Sequence, residues 1–514
     1  MSDRRHRRVL GGLKRVLWND PARRNMTEQL PIIDDRLAQR IIDLAMRVAE
    51  VMLSIGASAK EVTLAALRIT NAYGLKSVHV NVTFNSVILS DHRAGSGDPI
   101  TLMRVVRSAA PDHAKLQRLQ GLVNDVESGM PLDEAISDFQ RIRRTPFMYS
   151  NVVMVGVQAM LGIAIALMYG AGWLTLVIVF VASLLVALTQ LGLVRLRVPI
   201  FFTQAAGGLV LVAFAVCVLA LASNGVDALA AVRPSVLVSS GIVMMLAGLA
   251  VVGAAQDAID GFSLTAGGRI LDIAVMTMGL VVGIIVGLEA ARQLGIGLEM
   301  PREVLAFGPP LGHVAGAMLI AAAVAVLNGS GISIILVSAA LGALAWAGWY
   351  VLSSISGVPY AGAVFGGALV ASFVGSVVAD RLSVPSIAVT TAAMIPMVPG
   401  TSVFLGLLGF VSADADQAQF IGAFDSLFTA GMIGIALAAG ATFGIMIGSP
   451  LRLRLGNRTV TMRSKARPVS AAGGTAAFEV VRTEPVDAPQ YDVEHEDAVA
   501  ESDDPHPLTK PYDT

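Results

Sequence analysis

LGHVAGAMLIAAAVAVLNGSGISIILVSAALGALAWAGWYVL, residues 311–352, holds no Asp, Glu, Lys or Arg. A helix that crosses roughly 30 Å of hydrocarbon needs about 20 mostly apolar residues. This stretch supplies two such helices, over 311–328 and 331–352. Working outward, the same length and polarity recur from 149 to 448 and give about ten spans in all. The others lie at 149–169, 172–193, 200–222, 234–255, 269–289, 360–379, 386–410 and 426–448. Gly and Pro interrupt several of them, which helices in lipid tolerate when neighbours satisfy the freed backbone groups. The expected fold class is an α-helical polytopic membrane protein.

Composition agrees. The 514 residues have a mean hydropathy of +0.68 and only 15% charged residues, where a soluble protein carries roughly 25%. The charges gather in 1–145 and 450–514. The chain therefore divides into a basic N-terminus over 1–30, a cytosolic α+β domain over 31–145, membrane halves over 149–289 and 311–448, and an acidic, disordered tail over 456–514. A net charge of −1 gives no reason to expect a nucleic-acid partner. Cys217 is the single cysteine, so no intrachain disulfide forms. The opening MSDRRHRRVLGGLKRVLWND is basic and has no apolar core of a cleavable signal.

Arg and Lys near span ends set orientation. With ten spans, Arg141, Arg143, Arg144, Arg195, Arg197, Arg269, Arg381, Arg452, Arg454 and Arg458 fall on one side. The opposite side carries Arg233, Arg292 and Arg302, diluted by Asp227, Glu289, Glu299, Glu303, Asp414 and Asp416. This predicts a plasma-membrane protein with both termini cytoplasmic.

The halves echo each other. VVGAAQDAIDGFSLTAGGRILDIAVMTMGLVVGIIVG (251–287) and MVPGTSVFLGLLGFVSADADQAQFIGAFDSLFTAGMIGIALAAGATFGIMIG (397–448) each run from a Gly-containing break through an acidic segment to a Gly-rich helix. Two halves with an odd number of spans each lie in opposite senses, the inverted five-plus-five plan of many secondary transporters. Such repeats bind substrate at broken helices near the midplane. The breaks expected are Gly253 to Gly268 and Pro396 to Gly400. Pro396 and Pro399 remove backbone donors, Gly400 allows close approach, and Thr401 and Ser402 supply hydroxyls. Free helix ends there suit the carboxylate and ammonium of a zwitterion; the alternative is a proline kink with a surface loop. Ionisable groups inside a membrane are costly and usually functional. Asp257, Asp260, Asp272 and Asp380, with Arg269 and His313, are the proton-coupling candidates; Arg269 and Asp272 share a helix face and can simply pair. Gln158, Gln190 and Gln204 read as interhelical hydrogen bonds. Gly279, Gly283 and Gly287, like Gly362 and Gly366, recur every four residues, the spacing of close helix contact. Such faces permit a homo-oligomer without requiring one.

Ahead of the spans, Leu37, Ile41, Leu44, Ala45 and Val48 have helical spacing. Ser58-Ala-Lys-Glu61 is a capping box that starts a second helix, and Gly74 closes it. Val78, Val80, Val82 and Phe84 alternate with polar residues as a half-buried strand, and Val87 to Leu89 extend it or return as a hairpin. Helix is expected again over 101–110 and 112–140, the latter broken at Gly129-Met-Pro131. His79, Asp91, His92 and Arg93 match no metal-ligand spacing, and no GxSxG nucleophile motif is present.

GASAKEVTLAALRITNAYGL, VHVNVTFNSVILSDHR, ITLMRVVR and LQGLVNDVESG, then QDAIDGFSLTAGGRILD and IPMVPGTSVFLGLLGF, together resemble the threonine/serine exporter family of actinobacteria over roughly residues 35–450. The resemblance implies export of L-threonine and L-serine driven by the proton motive force, with no catalytic turnover, cofactor or metal. It carries over no site residues. Asp272 or Asp260 is then the first choice for the carboxylate that exchanges protons. The rival readings are an exporter of another small polar solute, a membrane-anchored hydrolase with a catalytic N-domain, a receptor or scaffold, and a passive channel.

Overall fold

The computed structural model describes residues 34–92, 99–106, 111–246, 248–296, 308–382, 386–398, 400–412 and 417–463. The expected basic N-terminus, and the expected acidic tail beyond Arg463, lie outside these residues. The chain divides into two compact units, Met1–Val460 and Thr461–Thr514; the domain, bundle and sites below lie in the first.

The N-terminal domain packs four helices against a small sheet. Helix α1 (Asp35–Ser54) buries Ala38, Ile41, Ile42, Ala45, Val48, Ala49 and Met52 along one face. Helix α2 (Ala59–Ala72) starts where Ser58 Oγ accepts the Glu61 N–H at 3.2 Å. Strands β1 (Val78–Thr83) and β2 (Ser86–Asp91) form an antiparallel hairpin whose loop is Phe84-Asn85, and β2 also pairs with β3 (Ile100–Val105). The helix expected over 101–110 is therefore a strand over its described part. ITLMRV is short and uncapped, and its alternate residues Thr101, Met103 and Val105 face outward once β2 supplies a partner. Helices α3 (His113–Glu127) and α4 (Leu132–Arg144) flank the Gly129–Pro131 break. Leu44, Met46, Ile69, Leu89, Leu116, Leu119 and Phe139 fill the core.

The membrane part follows in chain order: α5 (Asn151–Met168), α6 (Trp173–Arg195), α7 (Ile200–Ser223), α8 (Pro234–Met245), α9 (Gly248–Ile259), α10 (Ser263–Gln293), α11 (Pro310–Leu327), α12 (Ile332–Ser353), α13 (Tyr360–Leu382), α14 (Ser386–Met394), α15 (Gly400–Ser412) and α16 (Gln417–Arg463). Helix α16 runs past residue 456, where composition alone begins the tail. Among the described residues eight helices are long and apolar enough to cross a membrane, or nine if α8 and α9, bent by 48°, count as one broken span. The ninth expected span, 386–410, is not one continuous helix but consists of α14, a 3-10 turn at Ile395–Met397 and α15. Pro396 sits in that turn, where its missing N–H and ring prevent a regular helix. The Gly253–Gly268 stretch is helical on both sides of a turn at residues 260–262 that passes through Gly261 (φ +89°), and a separate bend of 48° lies earlier, between α8 and α9.

The α5–α10 and α11–α16 series repeat the same joints. The α5–α6 turn passes through Gly170 (φ +70°) and the α11–α12 turn through Gly329 (φ +68°), each with a glycine N-cap two residues later. A positive φ followed by Val-Pro leads into α7 (Arg197, +59°) and into α13 (Gly357, +89°). Gly279 and Gly283 of α10 lie against the carbonyls of Phe201 and Ala205 on α7, while Gly440 and Gly444 of α16 lie against those of Phe365 and Leu369 on α13. Helices α5 and α11 pack antiparallel, with Gly312 against the Leu167 carbonyl and Gly316 against Ala164 and Met168.

A methyl group at Gly283 would overlap the Ala205 carbonyl, so α7 and α10 would have to separate. Gly283→Ala is expected to lower stability by about 1–3 kcal/mol, read as earlier thermal unfolding in detergent. Gly156→Ala, where a methyl group meets nothing within 4 Å, serves as the control; equal melting of the two variants would refute the tight contact.

Candidate functional site

The two interrupted helices meet. A Cβ on Gly400, the first residue of α15, would lie 3.1 Å from Leu246 Cδ1, just past the end of α8. On one side a chain of amides reaches the first break. Gln158 Nε2 donates to Gln190 Oε1 at 2.9 Å, Gln190 Nε2 to Gln204 Oε1 at 3.3 Å, and Gln204 Nε2 to the Met245 carbonyl at 3.5 Å. The interhelical role read from the sequence for these glutamines is the one observed. On the other side, the Thr401 side chain is hydrogen-bonded to Tyr169 of the α5–α6 turn. Nearby, His313 packs edge-on to Trp346 (5.4 Å between ring centroids), Trp346 stacks on Tyr350 (5.1 Å) and Trp349 meets Tyr360 (6.0 Å). Trp346 Nε1 is buried without a hydrogen-bond partner. Two interrupted helices beside an amide chain and an aromatic wall suit a small polar molecule.

A second cluster joins the N-terminal domain to the bundle. The start of α2 points at Asp257, near the end of α9. Asp257 is fully buried; its Oδ1 accepts the Ala59 N–H at 3.4 Å and its Oδ2 lies 3.2 Å from Arg269 Nη1. Arg269 Nη2 also donates to the Ala57 carbonyl at 3.4 Å, and Lys60 Nζ pairs with Asp260 Oδ1 at 2.7 Å. Glycine makes room: a Cβ at Gly253 would sit 2.7 Å from the Arg269 guanidinium, and one at Gly268 2.6 Å from the Phe84 ring at the hairpin tip. Glu61 Oε2 is sealed from solvent with no partner. Burial pushes the Glu61 carboxyl up to about 7; the Ser58 backbone contact opposes this and the Asp257 charge adds to it.

A second dock lies at the α11–α12 turn. The His113 N–H donates to the Asn328 carbonyl at 2.8 Å, His113 Nδ1 lies 3.1 Å from Ser330 Oγ, and Tyr149 OH donates to the Ser330 carbonyl at 2.6 Å. Burial lowers His113 to about 4.

The residues singled out in the sequence separate into groups. Asp257, Asp260 and Arg269 come together at the junction. Arg269 turns to Asp257 rather than Asp272, which is exposed on α10. Asp380 lies in α13. Pro396, Gly400, Thr401 and Ser402 lie at the second break; Pro399 is outside the described residues. Among the described residues no group of His, Cys, Asp and Glu is placed to hold a metal ion. Sequence reasoning missed Lys60 and Glu61 as site residues, because a capping box looks the same whether it faces water or another domain. It also missed the aromatic wall, which Trp346, Trp349 and Tyr350 at helical spacing would have signalled.

The His113 imidazole is bound neutral, so its stabilising contribution is complete above about pH 6.5 and is lost as pH falls through about 4. His113→Gln should therefore keep about 3 kcal/mol that the native chain loses over that window. Chemical denaturation across pH measures this, and identical acid limbs would refute it.

Comparison with known proteins bears on both sites. Residues 43–291 match a family model described as "Putative threonine/serine exporter", and residues 313–447 match a second, "Threonine/Serine exporter, ThrE". A "Probable threonine/serine exporter" from Mycobacterium tuberculosis is 30% identical over 472 residues, covering 89% of this chain and 85% of the relative. A "Threonine/serine exporter" from Corynebacterium glutamicum is 28% identical over 431 residues, covering 82% and 85%. No solved structure matches the chain.

Proposed function

This chain belongs to the threonine/serine exporter family, and we propose that it carries L-threonine and L-serine out of the cytoplasm by alternating access, driven by the proton motive force. It moves its substrate and does not transform it. The amino acid binds where the α8–α9 and α14–α15 breaks meet. Free backbone groups there recognise its carboxylate and ammonium, with Thr401 and Ser402 as hydroxyl partners. The observation that carries the reading is the contact of Gly400 with Leu246, which brings two interrupted helices to one point. The matched turns and the antiparallel packing of α5 and α11 support two five-span halves in opposite senses. That plan counts α8–α9 and α14–α15 as broken spans, ten in all, with the N-terminal domain and the C-terminus on the cytoplasmic side. Among the carboxylates, Asp257 and Asp260 precede Asp272 and Asp380 as coupling groups, because they sit where α9 turns into α10.

Cells fed a threonine-containing dipeptide should release threonine faster when they carry this protein, and an uncoupler should abolish the difference. Unchanged efflux, with the protein present in the membrane, would reject threonine as substrate; efflux that ignores the uncoupler would reject the coupling. Gly400→Val drives a branched side chain into Leu246 and should cut efflux at least about tenfold at normal membrane abundance, because a misplaced binding group by itself costs that much or more. Wild-type efflux from that variant would move the substrate site elsewhere.

A further inference from the structure

We propose that Glu61 of the N-terminal domain, buried at the junction with the Asp257–Arg269 ion pair of the broken helix, is the proton-carrying carboxyl of the transport cycle. The inference rests on the exporter reading and adds a residue from outside the membrane bundle to its machinery.

The charge balance of the junction points to it. Three carboxylates, Glu61, Asp257 and Asp260, face two cations, Lys60 and Arg269. Lys60 is taken by Asp260. Arg269 is divided between Asp257 and the Ala57 carbonyl. One carboxylate is left over: Glu61 Oε2 is buried without a hydrogen-bond partner, while Asp257 Oδ2 keeps the Arg269 guanidinium at 3.2 Å. Burying an anion with no cation of its own is costly, and the Asp257 charge adds to that cost, so Glu61 is the carboxyl that holds a proton here. Charged groups on the elements around α2 are engaged elsewhere. Asp43 and Glu50 of α1 hold Arg104, and Arg47 pairs with Asp43. Glu127 of α3 holds Arg68, and Asp112 lies beside Lys115. His79 of β1 and Asp272 of α10 are exposed.

The proton also controls the dock. With Glu61 protonated, the start of α2 sits on Asp257 through the Ala59 N–H. Loss of the Glu61 proton to water leaves a buried anion without a cation beside the Asp257–Arg269 pair and separates α2 from α9. Glu61 is raised from 4.5 to about 7 when docked. The docked state therefore binds the extra proton, and docking weakens as pH rises through that window. Between about pH 6 and about pH 8 the docking equilibrium should fall about tenfold.

The test uses the full chain reconstituted in vesicles loaded with threonine. The rate of threonine release is read with and without an imposed pH gradient. In the native protein the ratio of the two rates should be large; in Glu61→Gln it should fall to one, whatever the absolute rate, and Glu61→Asp should restore part of it. A Glu61→Gln protein with the native ratio overturns the proposal. A native protein that releases threonine with no response to the gradient overturns both this proposal and proton coupling. No threonine release by the native protein rejects the exporter reading itself. Should Glu61→Gln fail to assemble, hydrogen exchange of residues 58–72 in the native chain decides. Protection, corrected for intrinsic rates, should drop about tenfold from pH 6 to pH 8, and pH-independent protection overturns the proposal.

Discussion

Hydrocarbon offers no hydrogen-bond partners, so a helix that stops within an apolar layer must have its loose backbone ends covered by protein. This chain interrupts two helices, and it covers each break with the other. Leu246 lies over Gly400, the Gln204 amide reaches the Met245 carbonyl, and Met397 packs towards Gly367 of α13. Neither break can be removed from this arrangement singly, because each is the other's cover. The remaining helices hold the two breaks at this distance.

Close backbone contact does most of that holding. Helices in lipid gain little from the hydrophobic effect against one another, so they associate through small residues and interhelical hydrogen bonds. The glycines of α10 bring it against α7, and those of α16 bring it against α13. The amide chain from Gln158 through Gln190 to Gln204 crosses α5, α6 and α7 and ends on α8. It thus ties three continuous helices to the interrupted one.

Much of this was legible in the sequence because the signals are strong in lipid. A charge-free run of the right length admits few readings, glycines every four residues mark close contact, and glutamines in apolar helices need partners. Pro396 announced the second break. The bend between α8 and α9 has no proline at Leu246, and the acidic Gly253–Gly268 segment drew attention away from it. Local spacing also misled at Arg269. It lies one helical turn from Asp272, yet it turns to Asp257, because a fully buried carboxylate without a cation costs more than an exposed one. At β3 a short apolar run could be helix or strand, and only its pairing with β2 decides. The role of Glu61 was invisible for a different reason: it depends on a domain about two hundred residues away, on the scale set by typical domain lengths.

The N-terminal domain touches both membrane halves, at the α9–α10 corner through α2 and at the α11–α12 turn through His113 and Tyr149. On the proposed alternating-access cycle, halves that rock against each other would break one of these docks. The two differ in what can release them. His113 is neutral across the physiological range and its contacts are ordinary hydrogen bonds, so that dock is indifferent to a proton near neutrality. The α2 dock holds an unpaired carboxylate that titrates near neutrality. Of the two attachments, then, the one through α2 responds to protons near neutrality and the one through His113 does not.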